Sequence, residues 1–393
     1  MTFLSNRWLL PEGVEELLPQ QAEHLERLRQ QLLVLFHSWG YELVMPPLVE
    51  YVESLLLGRG DELDLQTFKL TDQLNGRLLG VRADITPQVA RIDAHRMQRE
   101  GPNRLCYVGQ VLRTRPEGLM SSREPIQVGA ELYGHRGLES DIEVLQLMVE
   151  ALVTLDVRDI HIDIGHVTIF RTLARRAGMT TEDETVLFRA MQRKAKADML
   201  EALDAARVVE PWRGLFMQLV DLNGGPEVLQ SAQQALKDVG PEVDAALREL
   251  AAVAVEMDKR VSVPLHFDLA ELRGYHYKTG LVFAAFVSGH GQEVARGGRY
   301  DAIGRAYGRA RPATGFSTDL KTLVHLSTAT PDAARGIFAP YDDKPDLRAH
   351  IRALRAKGER VVVALPGQTV DSGCDRELVW RNNAWQVVDL KRP

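Results

Sequence analysis

PIQVGAELYG, residues 125–134, alternates with the period of a β-strand. Side chains two apart on a strand share a face, so Gln127, Gly129, Glu131 and Tyr133 stand together. A glycine on such a face leaves room for a ligand. Working outward, strand-like pieces occupy 67–70, 77–82 and 104–113. Loops join them, not regular helical crossovers, so a mostly antiparallel sheet in an α+β fold is expected in preference to a doubly wound one.

Elsewhere the helical period dominates. Leu17, Leu18, Leu25, Leu28, Leu32, Leu35 and Phe36 mark a helix over 14–39, ended by Gly40. YELVM then reads as a short strand stopped by Pro46-Pro47. Thr86-Pro87 predicts an N-cap followed by proline at the first helical position, and Ser140-Asp-Ile-Glu143 predicts a capping box. DIHIDIG alternates as a strand, and a helix-rich block over about 166–260 then reads as an insertion between two halves of a sheet. Strand signals return at 262–270 and 281–287, with helices expected at about 299–307 and 319–327. Three parts follow: a main domain over 1–327, a linker over 328–345 rich in Pro, Ala and Asp, and a small α/β segment over 346–393. That segment reads helix (346–356), strand, helix (about 373–382), strand.

Composition bounds the function classes. The 393 residues carry 48 basic and 54 acidic side chains, a formal charge of −6, with no basic run longer than a pair. Nucleic acid is therefore a disfavoured partner. Cys106 and Cys374 are the two cysteines, without a CxxC, which fits a reducing compartment and leaves no cysteine zinc site. No segment approaches the roughly 18 apolar residues that span a bilayer, so a cytoplasmic protein without membrane contact is expected. The P-loop, dinucleotide, HExxH and nucleophile-elbow signatures are all missing. No cofactor or metal is expected.

Four stretches place polar groups where the chain turns: VRADITP (Arg82, Asp84, Thr86), LRTR (Arg113, Arg115), PIQVGAELYG, and ELRGYHYKTG (Glu271, Arg273, Tyr275, His276, Tyr277, Lys278). Each also has a purely structural reading. Asp84 and Thr86 suit a helix cap, and Gln127 and Glu131 suit the wet face of a strand. Arg113 and Arg115 suit surface pairs with Glu117 and Glu124, and the aromatic segment suits a packed hairpin. Together they suit a zwitterionic amino acid. Asp84 and Glu131 are available for an ammonium, Arg113 or Arg273 for a carboxylate, and Gln127 or Glu131 for an imidazole nitrogen. Charge-assisted hydrogen bonds contribute roughly 1.5–3 kcal/mol each. Three or four, less ordering costs, give about −8 kcal/mol, a micromolar affinity.

At these residues the chain resembles histidyl-tRNA synthetase, a class II aminoacyl-tRNA synthetase, over roughly residues 7–326. VRADIT is similar to that family's R-P-E-G-T, QVGAE to Q-x-G-x-E, and RGYHYKTG to R-G-x-x-Y-Y-x-G. GGRYDAIGRAYG with ATGFSTDLKTL is similar to the run into the third class II motif. Arg115 stands where the second motif carries the glutamate that contacts adenine. Lys321 and Thr322 stand where the third motif has Glu-Arg, and Lys278 replaces the second tyrosine of the histidine segment. Arg113, Gln127, Glu131, Arg273 and Tyr277 match the family pattern. The tail is too short for an anticodon-binding domain. A closer resemblance, through GYHY, DLK and VVVALPG…GCDREL, is to the regulatory subunits of ATP phosphoribosyltransferase.

That resemblance implies a class II synthetase-like antiparallel sheet flanked by helices, and no catalysis by this chain. It implies a short catalytic subunit as partner in a hetero-octamer, and a homodimer through the class II interface, matched here by 14–39 and the strand ending at Pro46. It also implies L-histidine as effector, held among Asp84, Thr86, Arg113, Gln127, Glu131, Arg273, Tyr275 and Tyr277. The rival readings are an active histidyl-tRNA synthetase and a stand-alone histidine sensor.

Overall fold

The strand expected at 125–133 runs Ile126–Tyr133 and lies third in a nine-stranded sheet. The computed structural model describes residues 8–57, 61–116, 118, 121–275, 277–329, 336–369 and 373–390. It divides into two units, Met1–Thr328 and Ala329–Pro393. In the first unit the sheet order is Glu42–Leu43, Asn103–Gln110, Ile126–Tyr133, Ala313–Asp319, Ala295–Arg299, Leu281–Val287, Ile160–His166, Leu265–Asp268 and Asn223–Gly224. Two neighbouring pairs are parallel, Glu42–Leu43 with 105–106 and Ile160–His166 with Leu265–Asp268. The remaining pairs are antiparallel. The mostly antiparallel α+β architecture is the one expected.

Period-two alternation gives the sheet two different faces. Val128, Ala130 and Leu132 pack into a core with Leu25, Leu28, Leu32 and Phe36 of the helix Pro19–Ser38 and with Val144, Leu145 and Met148 of the helix Leu138–Thr154. The other face carries Tyr133, Tyr107, Tyr300 and Ala313, covered by Ile85, Val89 and Ala90. Polar residues on this second face are therefore enclosed. Gln127 is 6% exposed and Glu131 1%, which overturns the wet-face reading.

Several local expectations are corrected. The helix after VRADI runs Thr86–Arg91 with Ile85 as N-cap, so Thr86 is its first residue and makes no cap bond. Its hydroxyl faces Tyr107 instead. The Ser140 capping box is absent because that helix starts at Leu138, leaving Ser140 buried one turn in. The helix expected at about 299–307 is a 3-10 turn at Ile303–Tyr307, and Arg299, at its expected start, ends the strand Ala295–Arg299. The strand expected over 104–113 stops at Gln110; Arg113 makes only an isolated bridge to Thr67. Phe68–Thr71 and Leu78–Val81 join Val49–Tyr51 in a separate three-stranded sheet. ELRGYHYKTG is a run of turns, not a hairpin, and His276 lies outside the described residues.

The helical block connects the parallel strands Ile160–His166 and Leu265–Asp268, a connection that needs a long crossover. It runs from Val167 to Asp258 and sends one short strand, Asn223–Gly224, back to pair at the sheet edge. No helix among the described residues is long and apolar enough to cross a membrane.

In the second unit a four-stranded sheet is ordered Val361–Val363, Gly336–Ala339, Cys374–Arg381, Ala384–Asp389. The helix Pro345–Ala356 packs Leu347 and Ile351 onto Ile337, Ala339, Val361 and Leu378. Gly336–Ala339 falls inside the stretch read as linker, yet it is fully buried between two strands. The helix expected at 373–382 is a strand. It forms a two-residue hairpin with 384–389, and Asn382 and Asn383 both have positive φ (50° and 59°). Asparagine tolerates this left-handed pair, which is the tight turn matching strand twist.

One buried ion pair ties the main sheet to its helix layer. Arg299 donates to Asp141 Oδ2 from Nε and Nη2 at 2.9 and 2.6 Å, and to Ser140 Oγ at 2.9 Å. Removing one partner of such a pair costs about 3–5 kcal/mol, because it strands a buried charge. Arg299→Met is expected to lose stability on that scale in chemical denaturation of the full chain. Adding Asp141→Leu to it is expected to restore most of the loss.

Candidate functional site

The site is assembled from the enclosed sheet face and three loops above it. Gln127 fixes the first loop. Its Oε1 accepts the Ile85 backbone N–H at 2.8 Å and its Nε2 donates to Asp84 Oδ1 at 2.8 Å. The same Asp84 oxygen accepts the Thr86 N–H at 3.0 Å, an Asx turn. A strand residue thus holds Asp84 and Thr86 in place, and both are half-buried. The cap-only reading of these two is replaced by a clamp.

Glu131 lies four residues further along the strand, on the same face. Tyr107 OH donates to its Oε1 at 3.2 Å, and Tyr300 OH donates to its Oε2. Thr86 Oγ1 is 3.1 Å from Tyr107 OH. The single Tyr107 proton points at Glu131, so Thr86 is the donor there. The strand register makes room for this cluster with two glycines. Gly129 pairs with Tyr107, and any Cβ on Gly129 would overlap the Tyr107 ring and come within 2.7 Å of the Phe316 carbonyl. Gly315 pairs with Glu131, and a Cβ there would overlap the carboxylate. The space that the glycine was expected to leave for a ligand is thus filled by Tyr107.

Burial pushes the Glu131 carboxyl up to about 7, and the nearby Asp84 charge pushes the same way. The tyrosine hydrogen bonds and the Lys278 ammonium oppose this. Burial also pushes the Tyr107 and Tyr300 hydroxyls well above their ordinary range, so both remain donors.

The remaining expected residues separate. Arg113 is half-buried, with its Nε 3.4 Å from the Ala83 carbonyl, which places it beside the Asp84 loop. Arg273 already pairs with Glu271 at 2.6 Å and with Glu293 at 3.7 Å, and its guanidinium lies 4.9 Å from the Phe286 ring centre. Tyr275 does not join the cluster. Its ring packs between Phe170 and Phe188, and its hydroxyl donates to Glu184 at 2.6 Å in the helical block. Tyr277 is exposed, with the Lys278 ammonium 5.5 Å from its ring centre. Tyr107 and Tyr300 are additions, and Lys278 of the ELRGYHYKTG stretch joins them. Tyr107 carried a signal, since its strand pairs with 126–133, but Tyr300 arrives from the end of a distant strand.

A cavity of about 560 Å³ adjoins the cluster, with Gln127, Arg113, Arg115, Arg296, Asp319 and Thr322 in its wall. Arg115 is exposed and makes no ion pair with Glu124, which accepts instead from Gln110 at 3.3 Å; Glu117 lies outside the described residues. Thr322 donates to Asp319 Oδ2 at 3.0 Å, and Lys321 is buried with its Nζ 3.8 Å from Glu15. Neither side chain offers this cavity a planar cation.

The histidyl-tRNA synthetase family model matches residues 13–323. The model of the ATP phosphoribosyltransferase subunit HisZ C-terminal domain matches residues 334–388. The ATP phosphoribosyltransferase regulatory subunit of Alkalilimnicola ehrlichii is 59% identical over 379 residues, covering 95% of this chain and 94% of that one. The chain belongs to the ATP phosphoribosyltransferase regulatory subunit family. The counterpart from Thioalkalivibrio sulfidiphilus is 58% identical over 395 residues, covering 98% and 99%. A crystal structure described as an ATP phosphoribosyltransferase regulatory subunit/histidyl-tRNA synthetase from Bacillus halodurans superposes with a TM-score of 0.81. It is 26% identical and covers 93% of this chain and 94% of that one. As a member of the family, this regulatory subunit is non-catalytic, carries a class II synthetase fold, and has a regulatory role in histidine biosynthesis. An active synthetase is not the favoured reading.

The raised Glu131 pKa has a thermodynamic consequence. Between a carboxyl's ordinary 4.5 and about 7 the folded chain binds a proton that the unfolded chain has lost. Stability therefore falls as pH rises through that window, by up to about 3 kcal/mol from this group. Glu131→Gln is expected to remove that decline, measured as denaturation midpoints of wild type and variant from pH 4.5 to 8.

Proposed function

We propose that this chain binds free L-histidine at the Glu131 cluster, activates a separate short ATP phosphoribosyltransferase catalytic subunit, and transmits feedback inhibition to it. The observation that carries the reading is the closeness of two acidic groups on one sheet face, Asp84 held by the Gln127 clamp and Glu131 within reach of its field, beside Arg113. This is the donor and acceptor set a zwitterion with an imidazole side chain requires. Asp84 takes the ammonium, Arg113 the carboxylate, and Glu131 the ring N–H. Thr86 and Tyr277 border the site. Arg273, neutralised by two glutamates, holds the wall of the cavity, and Tyr275 anchors the loop to the helical block.

Transmission requires histidine to bind one assembled state better than another, with a coupling of about 1–3 kcal/mol in typical cases. The assembly we propose is a cytoplasmic hetero-octamer, with copies of this chain paired through the helix Pro19–Ser38 and the strand Glu42–Leu43. The units read from the sequence, 1–327 with its helical insertion and 346–393, act in it as the effector-binding body and an accessory piece of unassigned role.

Two experiments test the proposal. Calorimetry with L-histidine is expected to show Glu131→Ala binding roughly ten- to a hundredfold more weakly, the loss of one charge-assisted hydrogen bond. Unchanged affinity would place histidine elsewhere. Mixing the chain with a short catalytic subunit is expected to raise phosphoribosyltransferase activity, and added histidine to lower it again. An activity indifferent to both additions would sink the regulatory mechanism.

A further inference from the structure

The loop over 271–280 places one cation inside the protein. Lys278 is buried. Its Nζ donates to the Gly298 carbonyl at 3.0 Å and lies 5.1 Å from the Tyr300 ring centre and 5.5 Å from that of Tyr277. Tyr300 donates its hydroxyl to Glu131. One tyrosine thus meets the ammonium with its ring and the carboxylate with its hydroxyl, and the field of Lys278 acts on Glu131 across it. Besides the Thr86 hydroxyl, the following groups act on Glu131 or share its hydrogen-bond cluster. They are Tyr107 from the neighbouring strand, Tyr133 from its own, Tyr300 from the end of the strand Ala295–Arg299, Asp84 from the loop before the helix Thr86–Arg91, and Lys278. Of these groups Lys278 is the one cation.

We propose that Lys278 sets the charge of the side chain this site accepts, admitting a neutral polar ring and rejecting a cationic one. The inference rests on the reading that histidine binds here. A neutral imidazole donates its ring N–H to Glu131 and adds no charge. An imidazolium sets a second positive charge against the ammonium in an interior where like charges repel far more strongly than in water. Lysine and arginine side chains are excluded for the same reason. Free imidazole titrates at about 6.5, so the accepted form of histidine becomes the minority below that pH.

The test titrates the full chain by calorimetry between pH 5.5 and 8 with L-histidine and with 1,2,4-triazol-3-ylalanine. The ring of the second ligand has a similar shape and stays uncharged over the range. Protonation of protein groups acts on both ligands, so the ratio of their affinities isolates the ligand's own ring. In the wild type the ratio of histidine to triazole affinity is expected to fall toward about tenfold per pH unit below about 6.5. In Lys278→Met it is expected to stay level or to reverse. A level ratio in the wild type overturns the proposal without any variant. A fall as steep in folded Lys278→Met as in wild type overturns it too. If neither amino acid binds the wild type, or if Glu131→Ala leaves both affinities unchanged, the histidine reading of this site fails first, and this inference falls with it.

Discussion

A carboxylate held dry on the inner face of a β-sheet is the constraint around which the polar half of this molecule is organised. Burying Glu131 without partners would cost several kcal/mol. Tyr107 and Tyr300 supply one donor to each oxygen, from the adjacent strand and from the end of another. The two hydroxyls fit only because glycines stand opposite: Gly129 beneath the Tyr107 ring and Gly315 beneath the carboxylate. Large and small residues alternate across three neighbouring strands so that one charge can sit among them.

From that point the connections run outward. Gln127, on the same face, grips the Asp84–Thr86 turn, and Thr86 closes back onto Tyr107. The loop carrying Lys278 is held by the helical block, where Arg171 donates to the carbonyls of Tyr275 and Lys278 at 2.9 and 3.0 Å. Tyr275 adds its bond to Glu184. The segment that carries Lys278 is thus fastened to the helical block. On the opposite face of the sheet, apolar packing and the Arg299–Asp141 pair fix the helices. The two faces have separate supports, one hydrophobic and one polar.

Much of this was legible in the chain. The strand at 126–133 and the long N-terminal helix were each marked by a period of side chains, and the strand Leu281–Val287 by a continuous apolar run. Where the period was short or ambiguous, tertiary partners decided. Cys374–Arg381 is a strand because a two-asparagine turn returns the chain against it, and the charged residues within it mimic a helix. Ser140 and Thr86 have the chemistry of caps but lie inside their helices, and their hydroxyls serve Arg299 and Tyr107. Tyr275 belongs by motif with Tyr277, yet one ring packs into the helical block and the other stays at the surface.

The sequence by itself determined the antiparallel sheet, the helical insertion, and the face shared by Gln127, Gly129 and Glu131. All of these are properties of residues near one another in the chain or aligned by a simple period. Only the tertiary structure decided which groups meet Glu131. It brought the Tyr107 and Tyr300 hydroxyls to the carboxylate, set Lys278 over the Tyr300 ring, and carried Tyr275 away. The physical reason is that burial and hydrogen bonding at one atom depend on every strand and loop converging there, and no local pattern encodes that convergence.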